Sequence, residues 1–426
     1  MTTADTHRTI DAVWRIEAPK LIAGLTRIVR DVGLAEDLAQ DALVAALEQW
    51  PESGVPDRPG AWLMATAKHR AIDRLRRDKR LDRKHEELGR ELEAEQELAM
   101  AELSMPTDND DVGDDLLRLM FISCHPVLAT TARVALTLRL LGSLTTEEIA
   151  RAYLVPSATI AQRVVRAKRT LSEAHVPFEI PSSAELGARL SSVLQVVYLI
   201  FNEGYAATAG DDVLSAGLCE DALRLGRILA GLAPKEPEVH GLVALMEIQA
   251  SRLRARVGPS GEIVLLLDQD RGRWDPLLIH RGLAALDRAE QLGGAMGPYA
   301  LQAAIAACHA RARSGSETDW ARIAALYDAL AQLAPSAIVE LNRAVAVAMA
   351  FGPAAGLEIV DTLTSEPSLR TYHLLPSVRG DLLMKLGRSD EARVEFERAA
   401  ALTQNARERD LLRARAAASA GGATRS

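Results

Sequence analysis

The chain reads as an all-helical protein, and three observations carry that reading. Alanine and leucine abound, while β-branched and aromatic residues never run in alternation with polar ones, so no half-buried strand is written into it. Apolar residues recur instead at spacings of three and four, the period of a helix with one buried face. Aromatic residues make up only 4% of the chain, against a hydrophobic fraction of 48% that is ordinary for a globular protein.

At 426 residues the chain is long enough for two or three domains with cores of their own. The net charge of −8 and pI near 5.7 do not advertise a nucleic-acid binder, so charge has to be read segment by segment. Cys124, Cys219 and Cys308 lie far apart, with no metal or redox spacing, and read as buried thiols of a reducing compartment. No signal peptide opens the sequence, and the longest apolar run, Val193–Phe201, is about half of the roughly 20 residues a membrane span needs. A cytoplasmic protein without membrane span or cofactor is expected.

Residues 1–81 carry three helical patterns. Ile10, Val13 and Trp14, then Leu21, Leu25, Ile28 and Val29, mark buried faces before a turn at Val32–Gly33. The next helix, Leu34 to Trp50, buries Leu38, Ala42, Leu43 and Trp50 and carries Asp37, Gln40, Asp41 and Glu48 on its other side. Such an acidic stripe is usually a solvated face, but it also suits a basic partner. A Pro/Gly-rich loop, Pro51–Gly60, leads into a helix from Ala61 to Arg80. Its apolar face is Leu63, Met64, Ala67, Ala71 and Leu75. Trp62, Thr66, His69, Asp73 and Arg76 recur opposite, crowded by Lys68, Arg70, Arg74, Arg77, Lys79 and Arg80. An aromatic among basic groups fits stacking on unpaired bases and neutralising phosphates; a surface basic helix with Trp62 in the core is the plainer alternative.

Residues 82–112 turn acidic and lose the apolar period, as a polar, partly helical linker would. Helical pattern resumes at Leu116–Cys124, breaks at Pro126 and continues from Val127 to Leu141. The stretch Leu144–Leu171 then reads as two helices around a tight break. Thr145 with Glu148 is a capping box, Pro156 stops the first helix, and Ser157 is a suitable N-cap for the second. In that second helix Ile160, Val164, Ala167 and Leu171 share one face; Thr159, Gln162, Arg166 and Arg169 lie opposite, with Arg163 at the edge. An apolar back and an Arg/Gln/Thr front is what the major groove of DNA admits, although plain helical bundles share the outline. Pro177 and Pro181 close this segment, 113–181.

From 182 to 426 the sequence reads as a helical array. Ser191–Phe201 is strongly apolar, and Asn202–Tyr205 looks like its end. Gly380, Leu383, Gly387, Ala392, Phe396 and Ala399 have the small/large spacing of a tetratricopeptide repeat; Leu330, Leu333 and Pro335, and Leu229, Leu232 and Pro234, close units upstream. Gly352 precedes Gly387 by about one repeat length, roughly 34 residues. Such an array buries a continuous core and offers a surface to a protein or peptide.

Taken together, residues 1–175 resemble the extracytoplasmic-function branch of bacterial sigma factors. AEDLAQDALVAALEQW looks like the region-two helix that docks on polymerase, PGAWLMATAKHRAIDRLRR like the helix that opens and reads the −10 element, and LTTEEIARAYLVPSATIAQRVVRAKRTL like the region-four helix-turn-helix for −35. The extension, with VVYLIFNEGY and DQDRGRWD, resembles the subfamily bearing a C-terminal tetratricopeptide-like domain. The resemblance implies core RNA polymerase and promoter DNA as partners. Asp37, Gln40 and Asp41 would face polymerase. Trp62, Lys68, His69, Arg70, Asp73, Arg74, Arg76 and Arg77 would face the melted −10 strand, and Ser157, Thr159, Gln162, Arg163, Arg166 and Arg169 the −35 duplex. His69 departs from the pattern, standing where many relatives carry Asn. The implied role is positional, two weak contacts acting as one, with control through the fused array.

Two other classes stand beside this one. A one-component regulator with a helical sensor shares the helix-turn-helix but leaves the −10 helix unexplained. An enzyme would have to use Asp268 and Asp270, Cys124–His125 or His280, none of which has a metal-ligand or nucleophile–base context; turn and helix-end roles suit them better.

Overall fold

A computed structural model describes residues 3–82, 109–153, 155–207, 214–259, 264–403 and 406–421. Among them the regular structure is helical, with no strand. The chain divides into two compact units, Met1–Ile200 and Phe201–Ser426.

In the first unit, helices α1 (Thr3–Val29), α2 (Val32–Ser53) and α3 (Pro59–Asp82) pack on one another. Ile10, Leu25, Leu38, Trp50 and Leu63 are buried almost completely, each contributing about 1.5–3 kcal/mol by leaving water. The chain turns at Arg30, whose positive φ of 53° breaks α1, and the Asp31 carboxylate caps α2 by accepting from Leu34 N at 2.7 Å. The turn thus falls two residues before the expected Val32–Gly33. Pro51 lies inside α2, which runs on to Ser53 and ends at Gly54. The expected loop from Pro51 to Gly60 is correspondingly shorter.

Of the acidic linker expected over 82–112, residues 83–108 lie outside the described residues, while Asp82 still belongs to α3 and 109–112 already belong to the next helix, so the linker is shorter than expected. Helices α4 (Asn109–Ser123), α5 (Thr130–Leu140), α6 (Thr146–Ala152) and α7 (Ser157–Glu173) follow, with α5 and α6 packed against α7. Phe121, Leu119, Leu136 and Leu138 form the core of this part.

Helix α8 (Ser183–Ala207) joins the two units and runs through Asn202–Tyr205 without ending there. Phe201 and Tyr205 stack one turn apart, ring centroids 5.6 Å, which favours continuation. By length and composition alone this helix could cross a membrane, but Leu190, Val193, Leu194, Val196, Val197, Ile200 and Phe201 are all buried within the protein.

The second unit stacks helices α9 (Leu214–Leu232), α10 (Pro237–Ala250), α11 (Pro276–Gln291), α12 (Pro298–Arg311), α13 (Trp320–Leu333), α14 (Ala337–Phe351), α15 (Pro353–Leu363), α16 (Leu374–Lys385), α17 (Ser389–Leu402) and α18 (Ala406–Gly421), each on its neighbours in sequence. Small residues set the close approaches. Gly356 faces Ala348, and Gly380 faces Phe396 and Ala392. Gly352 (φ 103°) and Gly387 (φ 74°) supply the left-handed turns after α14 and α16.

Candidate nucleic-acid interface

The capping box forms as its residues dictate. Glu148 N donates to Thr145 Oγ1 at 3.1 Å and Thr145 N to Glu148 Oε2 at 2.8 Å, fixing the start of α6. Helix α7 begins at Ser157 with Pro156 in the cap position and no side-chain cap bond. Ser157 is therefore the first helical residue rather than the cap, because the extended backbone of Pro156 already turns the chain into the helix.

Ile160, Val164, Ala167 and Leu171 of α7 are buried, as their spacing requires. Ser157, Gln162, Arg166 and Arg169 are exposed, and Thr159 and Arg163 half-buried. Arg169 is engaged by Glu173 at 2.6 Å. Val165, between Gln162 and Arg169 on the same face, is 64% exposed. The sequence reading did not single it out, yet an apolar side chain among these donors is what a thymine methyl accepts.

On α3, His69, Asp73 and Arg74 are exposed and Lys68 and Arg70 half-buried. Burial, and then the charge of Arg27, lowers the Lys68 ammonium pKa. Trp62 meets the buried Trp50 edge-to-face, centroids 5.3 Å and planes at 67°, so its core-side contact and its half-exposed ring coexist. Arg76 and Arg77 lie on the same helix, with side chains outside the described residues.

On α2, Asp37 and Asp41 are exposed, and Asp41 pairs with Arg70 of α3 at 3.5 Å. Gln40 does not project with them: it is half-buried and donates to Glu36 Oε1 at 2.7 Å. Val44 and Leu47, 48% and 37% exposed, extend the Asp37/Asp41 face as an apolar patch that an acidic-stripe reading overlooks.

Glu36 itself is 3% exposed. It accepts from Arg139 Nε of α5 at 2.6 Å and pairs with Lys168 of α7, tying α2 to the helix-turn-helix. Burial alone would raise its pKa; the charges of Lys168 and Arg139 prevail and hold it below the usual carboxylate range. A second tie runs from Arg27 of α1 to the buried Asp115 of α4, at 3.2 Å. Away from these surfaces, Cys124 is buried against Thr137 Oγ1 at 3.3 Å, its thiol pKa pushed up by burial, and Asp270 caps Gly272 N at 2.9 Å.

Comparison with known proteins places these parts. Residues 14–81 match sigma-70 region 2, residues 118–171 match sigma-70 region 4, and residues 189–290 match a family of unknown function, DUF6596. An uncharacterized protein of Rhizobium meliloti (strain 1021), R00370, is 43% identical over 395 residues, covering 93% of this chain and 92% of that protein. The ECF RNA polymerase sigma factor SigK of Mycobacterium ulcerans (strain Agy99) is 29% identical over 153 residues, 34% of this chain and 75% of that protein.

Proposed function

The chain belongs to the extracytoplasmic-function branch of the sigma-70 family, with a C-terminal helical extension, and from that premise we propose how its surfaces divide the work of promoter-specific initiation. Gln162, Val165 and Arg166 read the −35 duplex in the major groove, with Ser157, Thr159, Arg163 and Arg169 around them. Trp62, Lys68, His69, Arg70, Asp73, Arg74, Arg76 and Arg77 engage the melted −10 strand, the ring by stacking and the cations through phosphates. Asp37, Asp41, Val44 and Leu47 dock on core RNA polymerase.

The observation that carries this division is on α7, whose buried Ile160–Leu171 stripe leaves Gln162, Val165, Arg166 and Arg169 exposed on one side. The extension, a tetratricopeptide-like array in this reading, regulates in cis: tethering makes a weak contact effective, since a linked module acts at about millimolar concentration. We take it to be required for activity and to offer a protein- or peptide-binding surface.

The test is a pull-down with core RNA polymerase followed by run-off transcription from a matched promoter. Co-purification and promoter-dependent product are expected from the full chain. A truncation after Ala207 should initiate poorly; that end point keeps α8, whose Arg189 donates to Phe121 O at 3.0 Å and whose Ser192 donates to Cys124 O at 2.6 Å. Operator binding without polymerase capture would favour the one-component regulator instead.

A further inference from the structure

Two stretches of the extension that DNA and polymerase binding leave unused converge in the second unit. Tyr205 comes from the first, and Arg271 and Trp274 from the second. Arg252, just past the end of α10, lies between them, its guanidinium carbon 5.9 Å from each ring centroid. Arg256 sits 3.8 Å over the Tyr205 ring and donates to the Tyr205 carbonyl. Arg271 lies 5.0 Å from the Trp274 ring and donates to the carbonyls of His309 and Ala312 and to Thr318 Oγ1. Three guanidiniums therefore crowd two rings.

Of the three, Arg252 is the one whose side chain has no counter-charge among the described residues. The Arg252 guanidinium makes no hydrogen bond or ion pair among the described residues, only the two cation–π contacts. The hydrogen bonds of Arg271 go to neutral oxygens, which orient it without cancelling its charge. Beside them His309 is 8% exposed with Nδ1 unpartnered, and Trp274, 4% exposed, has an unpartnered indole N–H. Buried polar atoms left without partners are uncommon in folded proteins, and each one calls for an explanation. Burial first, and then the charge of Arg252, depresses the His309 pKa; burial is also the main cause at Arg256 and Arg271, where Arg252 lowers the pKa further and Glu408 and Glu317 respectively act against it.

We propose that Arg252, with Arg256 and Arg271 behind it, forms an oxyanion site that takes a phosphate group, free or carried on a small molecule. A forked guanidinium presents paired N–H donors that match phosphate oxygens two at a time. Arg252 has that fork uncommitted, and the two flanking guanidiniums, held by ring and carbonyl contacts, supply a fixed positive field at no cost of ordering. The site is independent of the DNA and polymerase surfaces, and its loss would leave them standing.

The test uses the full chain, titrated with inorganic phosphate and with pyrophosphate by calorimetry and thermal unfolding; sodium chloride and sodium acetate at equal ionic strength are the controls. Saturable heat and a rising melting temperature are expected with the phosphates and not with the controls. Arg252→Ala should abolish the response, while Arg254→Ala, an exposed neighbour, keeps it. Should Arg252→Ala fail to fold, Arg252→Lys, which keeps the charge but loses the fork, should bind phosphate about tenfold more weakly. A response equal to that of chloride or acetate, or one unchanged in the folded Arg252 variant, overturns the proposal.

Discussion

Glu36 and Arg139 stand 103 residues apart in the chain and 2.6 Å apart in the fold, the carboxylate of α2 accepting from the guanidinium of α5. Lys168 of α7 closes on the same carboxylate. The residue next to Glu36 is Asp37, exposed on the face proposed to dock on polymerase. One turn of α2 therefore joins a buried internal lock to an outward surface, and the two responsibilities can be separated by substitution.

Glu36→Gln tests the lock. It removes the charge but leaves Arg139 and Lys168 facing each other in a buried site, which costs about 3–5 kcal/mol. Hydrogen exchange in α2 and α7 should accelerate together. Because the folded pKa is held below the ordinary 4.5, the contribution is fully present above that value and is lost as pH falls through the depressed one. Acid should therefore loosen the wild-type contact and leave the variant's exchange pattern unaltered.

Charge reversal on the outward face gives a different signature. Asp37→Lys with Val44→Asp should abolish capture by core polymerase while helical content and melting temperature stay near wild type, since both positions are exposed and surface changes usually shift stability by less than about 0.5 kcal/mol. Asp41→Lys is less clean, because it also frees Arg70 of α3. Unimpaired capture would move the docking surface elsewhere.

Base reading separates from phosphate contact by its dependence on sequence and salt. Gln162→Ala should lose about 1–3 kcal/mol of discrimination at one or two −35 positions. Arg74→Ala, on α3, should weaken all promoters alike and flatten the salt dependence. Equal weakening of every −35 variant by Gln162→Ala would remove that residue from the groove.

Local rules made much of this legible. The Thr145–Glu148 box and the Ile160–Leu171 stripe involve residues within a few turns of each other, and both form as written. The Glu36 lock was invisible because its partners come from helices more than a hundred residues away; in sequence it is one more acid beside Asp37. Helix ends at Pro51 and Asn202–Tyr205 were misplaced for a related reason. Pro51 is followed by only two more helical residues, and Gly204 is carried through by the Phe201–Tyr205 stack. Val44, Leu47 and Val165 are apolar residues on outward faces, where composition alone reads them as core.

His309 gives the second unit an acid sensitivity of its own. Burial, reinforced by Arg252 and Arg271, brings its pKa from 6.5 down to about 4. The unfolded chain thus takes up a proton as pH falls below about 6.5, while the folded chain resists until near 4, so stability declines across that window and is flat above it. The decline attributable to this residue is up to about 3 kcal/mol. His309→Gln should flatten the melting temperature of the second unit between pH 7 and 4.5, at some constant cost in packing against Trp320, whose ring meets the imidazole edge-on at 5.2 Å. A slope that persists in the variant would assign the acid sensitivity to another group.

The last prediction concerns the array's packing, where one glycine and one ring are matched. A Cβ on Gly380 of α16 would lie 2.9 Å from Phe396 Cε1 and 3.2 Å from the Ala392 carbonyl, so α16 and α17 cannot keep their spacing with a larger residue there. Phe396 is 1% exposed and carries Arg415 of α18 over its ring at 4.6 Å, so displacing it disturbs three helices at once. Gly380→Ala should destabilise by about 1–3 kcal/mol through overpacking, and Phe396→Leu by about 1–3 kcal/mol through lost contact. The double variant should cost less than the sum of the two, because the smaller side chain vacates the space the methyl needs. Chemical denaturation of the four proteins reads the coupling directly. Simple additivity would mean that Gly380 tolerates a methyl by shifting the backbone instead, and that the α16–α17 spacing is not set by this pair.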